Sequence, residues 1–123
     1  MYRIVFDTNF LIDLIRFKIG FERIESLLEG KPGFFVLTST INELKKISTR
    51  SSPVSRFAKI VLEIIPSKFE VIKSEGISFD KEIFEILNDA TIVATNDSEL
   101  RKRLKTLGIK TIYLRARKKL AMS

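Results

Sequence analysis

Two aspartates stand at the ends of short apolar segments. Asp7 directly follows Arg3–Phe6, and Asp97 lies three residues after Thr91–Ala94. Both segments read as buried strands that lead into helical patterns. In open α/β sheets, ligands bind where strands end and the next helices begin. The pattern therefore predicts that two carboxylates meet at one edge of a sheet.

Two further acids stand at predicted helix starts. Glu43 follows a predicted strand at 34–37 and falls in the first turn of the next helix, and Asp80 lies at or near the cap of a later helix. Thr40 with Glu43, and Asn96 with Glu99, match the capping box, so each acid taken singly is explained as a helix cap. Capping does not explain why two acids end strongly apolar strands, where like charges repel. A bound divalent cation would offset that repulsion.

The chain contains no histidine and no cysteine. This excludes a histidine general base, serine or cysteine triads, thiolate redox chemistry and the ligands that zinc prefers. Carboxylates with a hard cation, Mg²⁺ or Mn²⁺, remain as the means of catalysis. A length of 123 residues with ten phenylalanines predicts one domain with a single core. Neither a secretory pattern nor an apolar stretch of eighteen residues occurs, so we expect a soluble, cytoplasmic protein with no membrane partner.

The net charge of +7 is concentrated towards the C-terminus. Residues 100–123 contain nine lysines and arginines and no acid, so the first 99 residues carry a net charge of −2. Clustered basic side chains suit a polyanion, because they release counterions from phosphates on binding. For 101–105 alone, a solvated helix face is the simpler interpretation.

Strand-like and helical segments alternate along the chain. Strands are predicted near 3–6, 34–37, 70–72, 91–94 and 110–114, and helical spacing occurs at 10–17, 21–28, 41–47, 54–65, 83–87 and 100–107. This alternation predicts a parallel sheet with helices on both faces.

Four motifs in this order carry a resemblance that covers nearly the whole chain. They are Phe6-Asp7-Thr8-Asn9 with the residues that follow, 38–45 around Glu43, 80–87, and 92–101 around Asp97. Together they resemble the PIN-domain ribonucleases, and the ending 108–115 is similar to the branch of small-subunit rRNA-processing nucleases and VapC-like toxins. The resemblance implies a five-stranded parallel sheet flanked by helices on both faces. We expect this domain to span residues 1–114, followed by a basic C-terminal tail at 115–123.

The resemblance also implies a set of site residues. The catalytic and metal-binding residues would be Asp7, Glu43, Asp80 and Asp97, supported by Asn9, Thr95 and Asn96. Asp80 is followed by Lys81, whereas rRNA-processing members often have paired acids there. The auxiliary ligands left open are Asp13, Asp89 and Glu99, although Asp13 is most simply a solvent-facing residue of the first helix.

The implied activity is cleavage of RNA by a water that one or two metal ions activate. The residues predicted to hold RNA phosphates are Lys45, Lys46, Arg50, Arg56, Arg101, Arg115, Arg117, Lys118 and Lys119. The alternatives are a VapC-like toxin held by an antitoxin, and an RNA-binding scaffold of ribosome assembly with little turnover. A dehalogenase-type phosphatase or a phosphoreceiver ranks last, because Asn9 stands where the former usually needs a second aspartate. The sequence leaves open whether the RNA is single-stranded or a structured precursor, and whether the protein is a homodimer.

Overall fold

Strands and helices alternate along the chain as the hydrophobic pattern predicts. The computed structural model describes residues 1–116 and 119–123. The strands are β1 (Arg3–Phe6), β2 (Gly33–Leu37), β3 (Glu70–Ile72), β4 (Thr91–Ala94), β5 (Lys110–Arg115) and β6 (Lys119–Met122). The helices are α1 (Thr8–Arg16), α2 (Phe21–Glu25), α3 (Thr38–Ser48), α4 (Ser55–Lys68), α5 (Phe79–Glu82) and α6 (Ser98–Thr106), with a 3₁₀ turn (Ile83–Glu85) after α5.

The six strands form one sheet in the order β3-β2-β1-β4-β5-β6. The first five strands are parallel to one another, which confirms the predicted parallel arrangement of that part. The prediction of only five strands is wrong. β6 pairs antiparallel with β5, placing Leu120 opposite Leu114 and Lys119 opposite Arg115.

The sixth strand forms because it packs apolar side chains against the core, although the C-terminus is mainly basic in sequence. Leu120 and Met122 are half-buried and pack against the main core. Backbone hydrogen bonds of 3.0 and 3.1 Å in both directions between Thr111 and Ser123 extend the pairing beyond the strand. In a strand of four residues, the two core-facing side chains, Leu120 and Met122, give too short a period-two pattern to be recognised beside a run of basic residues.

Side chains of β1 alternate between the two faces of the sheet. Ile4 and Phe6 enter the larger core with residues of α1, α3 and α4, whereas Val5 enters a smaller core with residues of α5 and α6. Phe6 lies at the centre of the larger core, and its ring centroid is 5.1 Å from those of both Phe34 and Phe69. Helices therefore cover both faces, as predicted.

The topology creates one crevice at the carboxyl ends of the strands. From β1 the chain crosses to β2 on one side, and β4 lies on the other side of β1. This reversal of strand order is where ligands bind in open α/β sheets. Asp7 and Thr95 directly follow the two strands that meet there. Within the described part of the chain, no helix has the length and apolar character needed to cross a bilayer.

Candidate active site

Asp7 is the N-cap of α1 and lies at the end of β1. Its Oδ1 accepts a hydrogen bond of 2.7 Å from the backbone N–H of Thr8, and its Oδ2 accepts one of 2.8 Å from the Thr95 hydroxyl. Burial raises the pKa of Asp7 to about 6, against the lowering effect of these two hydrogen bonds. The negative charges of Glu43 and Asp97 are smaller causes of the same rise and are included in this value. Three of the four predicted acids therefore interact at this point.

Asp97 is held by the same threonine. The fully buried Thr95 side chain accepts a hydrogen bond of 3.1 Å from the backbone N–H of Asp97. Asp97 is itself the N-cap of α6, and its Oδ1 accepts from the N–H groups of Glu99 and Leu100 at 3.0 and 3.2 Å. The predicted capping box of Asn96 with Glu99 is therefore wrong. Capping occupies Oδ1 of Asp97 and leaves Oδ2 for another partner.

Glu43 lies farther into its helix than predicted. Because α3 begins at Thr38, directly after β2, Glu43 is its sixth residue, and the first turn contains no acid. The capping box of Thr40 with Glu43 is not formed. Thr40 is instead buried and donates a hydrogen bond of 3.5 Å to the carbonyl oxygen of Phe6. Glu43 thus has no part in capping, and its side chain is exposed towards the site.

Asp80 lies in the first turn of α5 and is exposed. The hydroxyl of Ser78, the N-cap residue, donates a hydrogen bond to Oδ1 of Asp80. Both residues line a depression of about 220 Å³ at the carboxyl edge of the sheet. This acidic depression is lined by Asp7, Thr8, Asn9, Ser39, Glu43, Ile77, Ser78, Phe79, Asp80 and Asp97. All four predicted acids and the predicted support Asn9 therefore border one space.

The donor set of the acidic depression fits a hydrated hard cation. Among the described residues, no three acidic side chains lie close enough to form a metal centre by themselves. Mg²⁺ usually keeps several waters and is bound by only one or two carboxylates, so a loosely spaced set of oxygen ligands suits it. The Ser39 hydroxyl, which is 5% exposed and lines the depression, has no hydrogen-bond partner in the described part of the chain. A buried hydroxyl normally finds a partner, which a hydrated ligand would supply.

Asn96 connects β5 to α1 next to the acidic depression. Its Oδ1 accepts a hydrogen bond of 2.8 Å from the backbone N–H of Leu114, and its Nδ2 donates one of 2.9 Å to Oδ2 of Asp13. Asp13 is therefore half-buried and bonded, and its predicted position in solvent is wrong. Asp89 lies near Tyr2 at the opposite edge of the sheet. Glu99 is exposed, with its carboxylate 3.8 Å from Lys102 Nζ.

A second depression adjoins the first. It has a volume of about 610 Å³ and shares Asn9 and Asp97 with the acidic depression. This arginine groove is lined by Asn9, Ile12, Asp13, Arg16, Ile47, Arg50, Ser52, Val54, Asn96 and Asp97. An α-helix rises 1.5 Å per residue, so Arg16 lies roughly 10 Å along α1 from Asn9. The groove thus leads from the acids to two exposed guanidinium groups.

The predicted phosphate-binding residues are dispersed over several surfaces. Arg50 lines the arginine groove, while Lys45 and Lys46 are exposed on the last turns of α3. The guanidinium groups of Arg56 and Arg101 stack on the rings of Phe57 and Tyr113, at 4.9 and 3.9 Å from the ring centroids. The remaining described members, Arg115 and Lys119, are exposed at the β5–β6 turn, and Arg117 and Lys118 lie outside the described residues.

Three residues that contribute to this region were not predicted, namely Arg16, Ser39 and Glu82. Arg16 could have been found, because it is seven positions after Asn9 and so shares its helix face. Ser39 and Glu82 could not, because their importance depends on burial. Burial alone would raise the pKa of Glu82, but hydrogen bonds from the N–H groups of the loop before α5 outweigh it and lower this pKa to about 2.

The sequence and the fold both match known proteins. The profile of the family described as PIN like domain matches residues 4–117. Ribonuclease VapC4 of Methanocaldococcus jannaschii is 32% identical over 124 residues, which cover 96% of this chain and 94% of that protein. The family match and this identity over nearly the full length establish a common family.

Solved structures share the fold at lower identity. The PIN domain endonuclease Utp24 superposes with a TM-score of 0.81 at 24% identity, covering 99% of this chain and 91% of that chain. VapBC2 from Rickettsia felis, solved with a DNA fragment from its promoter, gives 0.51 at 17% identity, covering 82% and 92%. These likenesses concern the fold alone.

Proposed function

Because the chain belongs to the PIN-like domain family, we propose that it is a divalent-metal-dependent endoribonuclease that cleaves single-stranded RNA. One observation carries the proposal. A half-buried Asp7 with a raised pKa lies at the reversal of strand order, and two further carboxylates act on it. Perturbed carboxylates in a cleft are frequent in active sites. The relationship to ribonuclease VapC4 supports RNA as the substrate.

The metal would be held by Asp7, Glu43, Asp80 and Asp97. Bound Mg²⁺ or Mn²⁺ supplies a water of lowered pKa and positive charge beside the phosphate. The chain's own contribution is to fix the carboxylates. Thr95 holds Asp7 through its hydroxyl and Asp97 through its backbone N–H, so both acids keep a defined relation before substrate arrives.

The arginine groove suits the rest of an RNA strand. The exposed guanidinium groups of Arg16 and Arg50 can neutralise phosphates of such a strand. Since the groove shares Asn9 and Asp97 with the acidic depression, a strand lying in it reaches the acids. Lys45, Lys46, Arg115 and Lys119 are exposed as well and would add phosphate contacts outside the groove.

The proposal is tested on purified protein with three oligonucleotides of one sequence. Single-stranded RNA should be cut internally in Mg²⁺ or Mn²⁺, and excess EDTA should stop the reaction. RNA annealed to its complement and single-stranded DNA should be cut more slowly. Cleavage that persists at full rate in EDTA would contradict the metal-dependent mechanism.

A toxin role has a specific observation in its favour, the relationship to VapC4 over nearly the full length. In that case an antitoxin partner would restrain the same site. A role in rRNA processing, or as a weakly active scaffold of ribosome assembly, is the other candidate. RNA crosslinked to an Asp7→Asn variant in its native cells would separate these roles. Enrichment of a ribosomal precursor would favour processing, and enrichment of another RNA would favour the toxin.

A further inference from the structure

The loop that precedes α5 is hydrogen-bonded to a buried carboxylate. Glu82 is 6% exposed, and its two oxygens accept hydrogen bonds from three consecutive backbone N–H groups. Oε1 accepts from Gly76 at 3.3 Å, and Oε2 accepts from Ile77 and Ser78 at 2.9 and 2.7 Å. These contacts satisfy a charge that would otherwise be costly to bury.

The same loop is also hydrogen-bonded to side chains of α3. Thr38 Oγ1 accepts a hydrogen bond of 3.1 Å from the backbone N–H of Ser74, and Asn42 Nδ2 donates one of 3.1 Å to the carbonyl oxygen of Gly76. Gly76 has a φ of +83°, and a Cβ there would lie 2.6 Å from Asn42 Nδ2. Only glycine satisfies both the backbone conformation and this close approach.

We infer that Glu82 is a positioning residue of the acidic depression. It fixes the position of Asp80 relative to α3, the helix that carries Glu43. The inference rests on the proposed function. Ser78 donates its N–H to Glu82 and its hydroxyl to Asp80, so the loop ends directly at the third acid. Asn42 immediately precedes Glu43. Glu82 is absent from the residues that line the depression and acts through the loop.

The alternative is that Glu82 only stabilises the fold, and a double-mutant cycle separates the two roles. Mn²⁺ binding is measured by titration calorimetry on the wild type, Glu82→Gln, Asp80→Asn and the double variant, at a temperature where melting curves show all four folded. Glu82→Gln should weaken Mn²⁺ binding roughly 10-fold or more, as loss of a ligand-orienting partner does. In the Asp80→Asn background the same change should have no further effect.

Two more variants complete the experiment. Glu85→Gln alters an exposed acid of the adjoining 3₁₀ turn and should leave Mn²⁺ affinity unchanged. Asn42→Ala removes the other attachment of the loop and should weaken Mn²⁺ binding in the same direction, which keeps the test open should Glu82→Gln fail to fold. RNA affinity should stay close to wild type in both Glu82→Gln and Asn42→Ala, because neither removes a phosphate contact.

Each outcome decides between the readings. The inference would be overturned if folded Glu82→Gln bound Mn²⁺ with wild-type affinity. If only Asn42→Ala folds, wild-type affinity in that variant would overturn it. The inference would also be overturned if Glu82→Gln reduced Mn²⁺ affinity by the same factor in the wild-type and Asp80→Asn backgrounds. Failure of the wild type itself to bind Mn²⁺ and to cleave RNA would instead remove the proposed function, and this inference with it.

Discussion

The Thr95 hydroxyl donates a hydrogen bond of 2.8 Å to Oδ2 of Asp7 while its oxygen accepts the backbone N–H of Asp97 at 3.1 Å. One fully buried side chain thus joins the acids at the ends of β1 and β4. The site depends on a hydroxyl that could not itself bind the metal as strongly as the carboxylates that it orients.

Thr95→Val should remove both hydrogen bonds while keeping the shape of the side chain. The pKa of Asp7 should rise further, because the Thr95 hydroxyl lowers it in the wild type. The pH of half-maximal Mn²⁺ binding should therefore move upward. Leaving the buried partners unpaired should also cost roughly 1–3 kcal/mol of unfolding free energy. Thr95→Ser keeps the hydroxyl and is the matched control. An unchanged pH midpoint in Thr95→Val would show that Thr95 does not act on Asp7.

Asp7→Asn should stabilise the metal-free protein above pH 6. The pKa of Asp7 is about 6 in the folded state and ordinarily 3.8, so at higher pH the native state holds a charge that its environment disfavours. The penalty is at most about 3 kcal/mol, and it disappears as pH falls from 6 to 4 and the native carboxyl becomes protonated. Urea unfolding in EDTA at pH 4 and pH 8 measures the difference.

The control for that measurement is Asp89→Asn at the opposite edge of the sheet, which should match the wild type at both values. A metal-free Asp7→Asn that is less stable than the wild type at pH 8 would show that Asp7 serves mainly as a helix cap.

Arg16→Ala and Arg50→Ala should weaken binding of single-stranded RNA. If each side chain contacts one phosphate, the slope of log affinity against log salt should become shallower by roughly 0.7 per variant. Arg23→Ala changes an exposed arginine of α2 that lines neither depression. Binding titrations at several salt concentrations compare the three. Equal slopes in all of them would place the RNA elsewhere, with the exposed Arg115 and Lys119 as the next candidates.

The general plan of the site could be predicted from the sequence. The strands β1 and β4 are apolar and short, and Asp7 and Thr95 follow directly, so the position of the carboxyl edge needed only periodicity. The same strand assignment places acids at neighbouring strand ends, where their charges repel. This repulsion indicated a bound cation. In the fold, burial is the largest cause of the raised pKa of Asp7, and the negative charges of Glu43 and Asp97 contribute to it in the same direction.

Several features could not be predicted because they depend on tertiary contacts. Thr40 matches a capping box in sequence, but α3 begins two residues before it, and its hydroxyl donates to the carbonyl oxygen of Phe6 in β1. Asn96 resembles a cap but bridges α1 and β5. Glu82 resembles a surface acid of a short helix, yet it is buried and accepts hydrogen bonds from the preceding loop.

Asp7 and Asp97 are proposed to act through a metal and not through RNA contact. The direct measurement is single-turnover cleavage of a labelled single-stranded RNA in saturating Mn²⁺, with binding measured on the same samples. Asp7→Asn and Asp97→Asn should abolish cleavage and largely retain binding, whereas Glu99→Gln, on the exposed first turn of α6, should cleave like the wild type. Cleavage at the wild-type rate by both asparagine variants would contradict the proposed role of Asp7 and Asp97 as metal ligands.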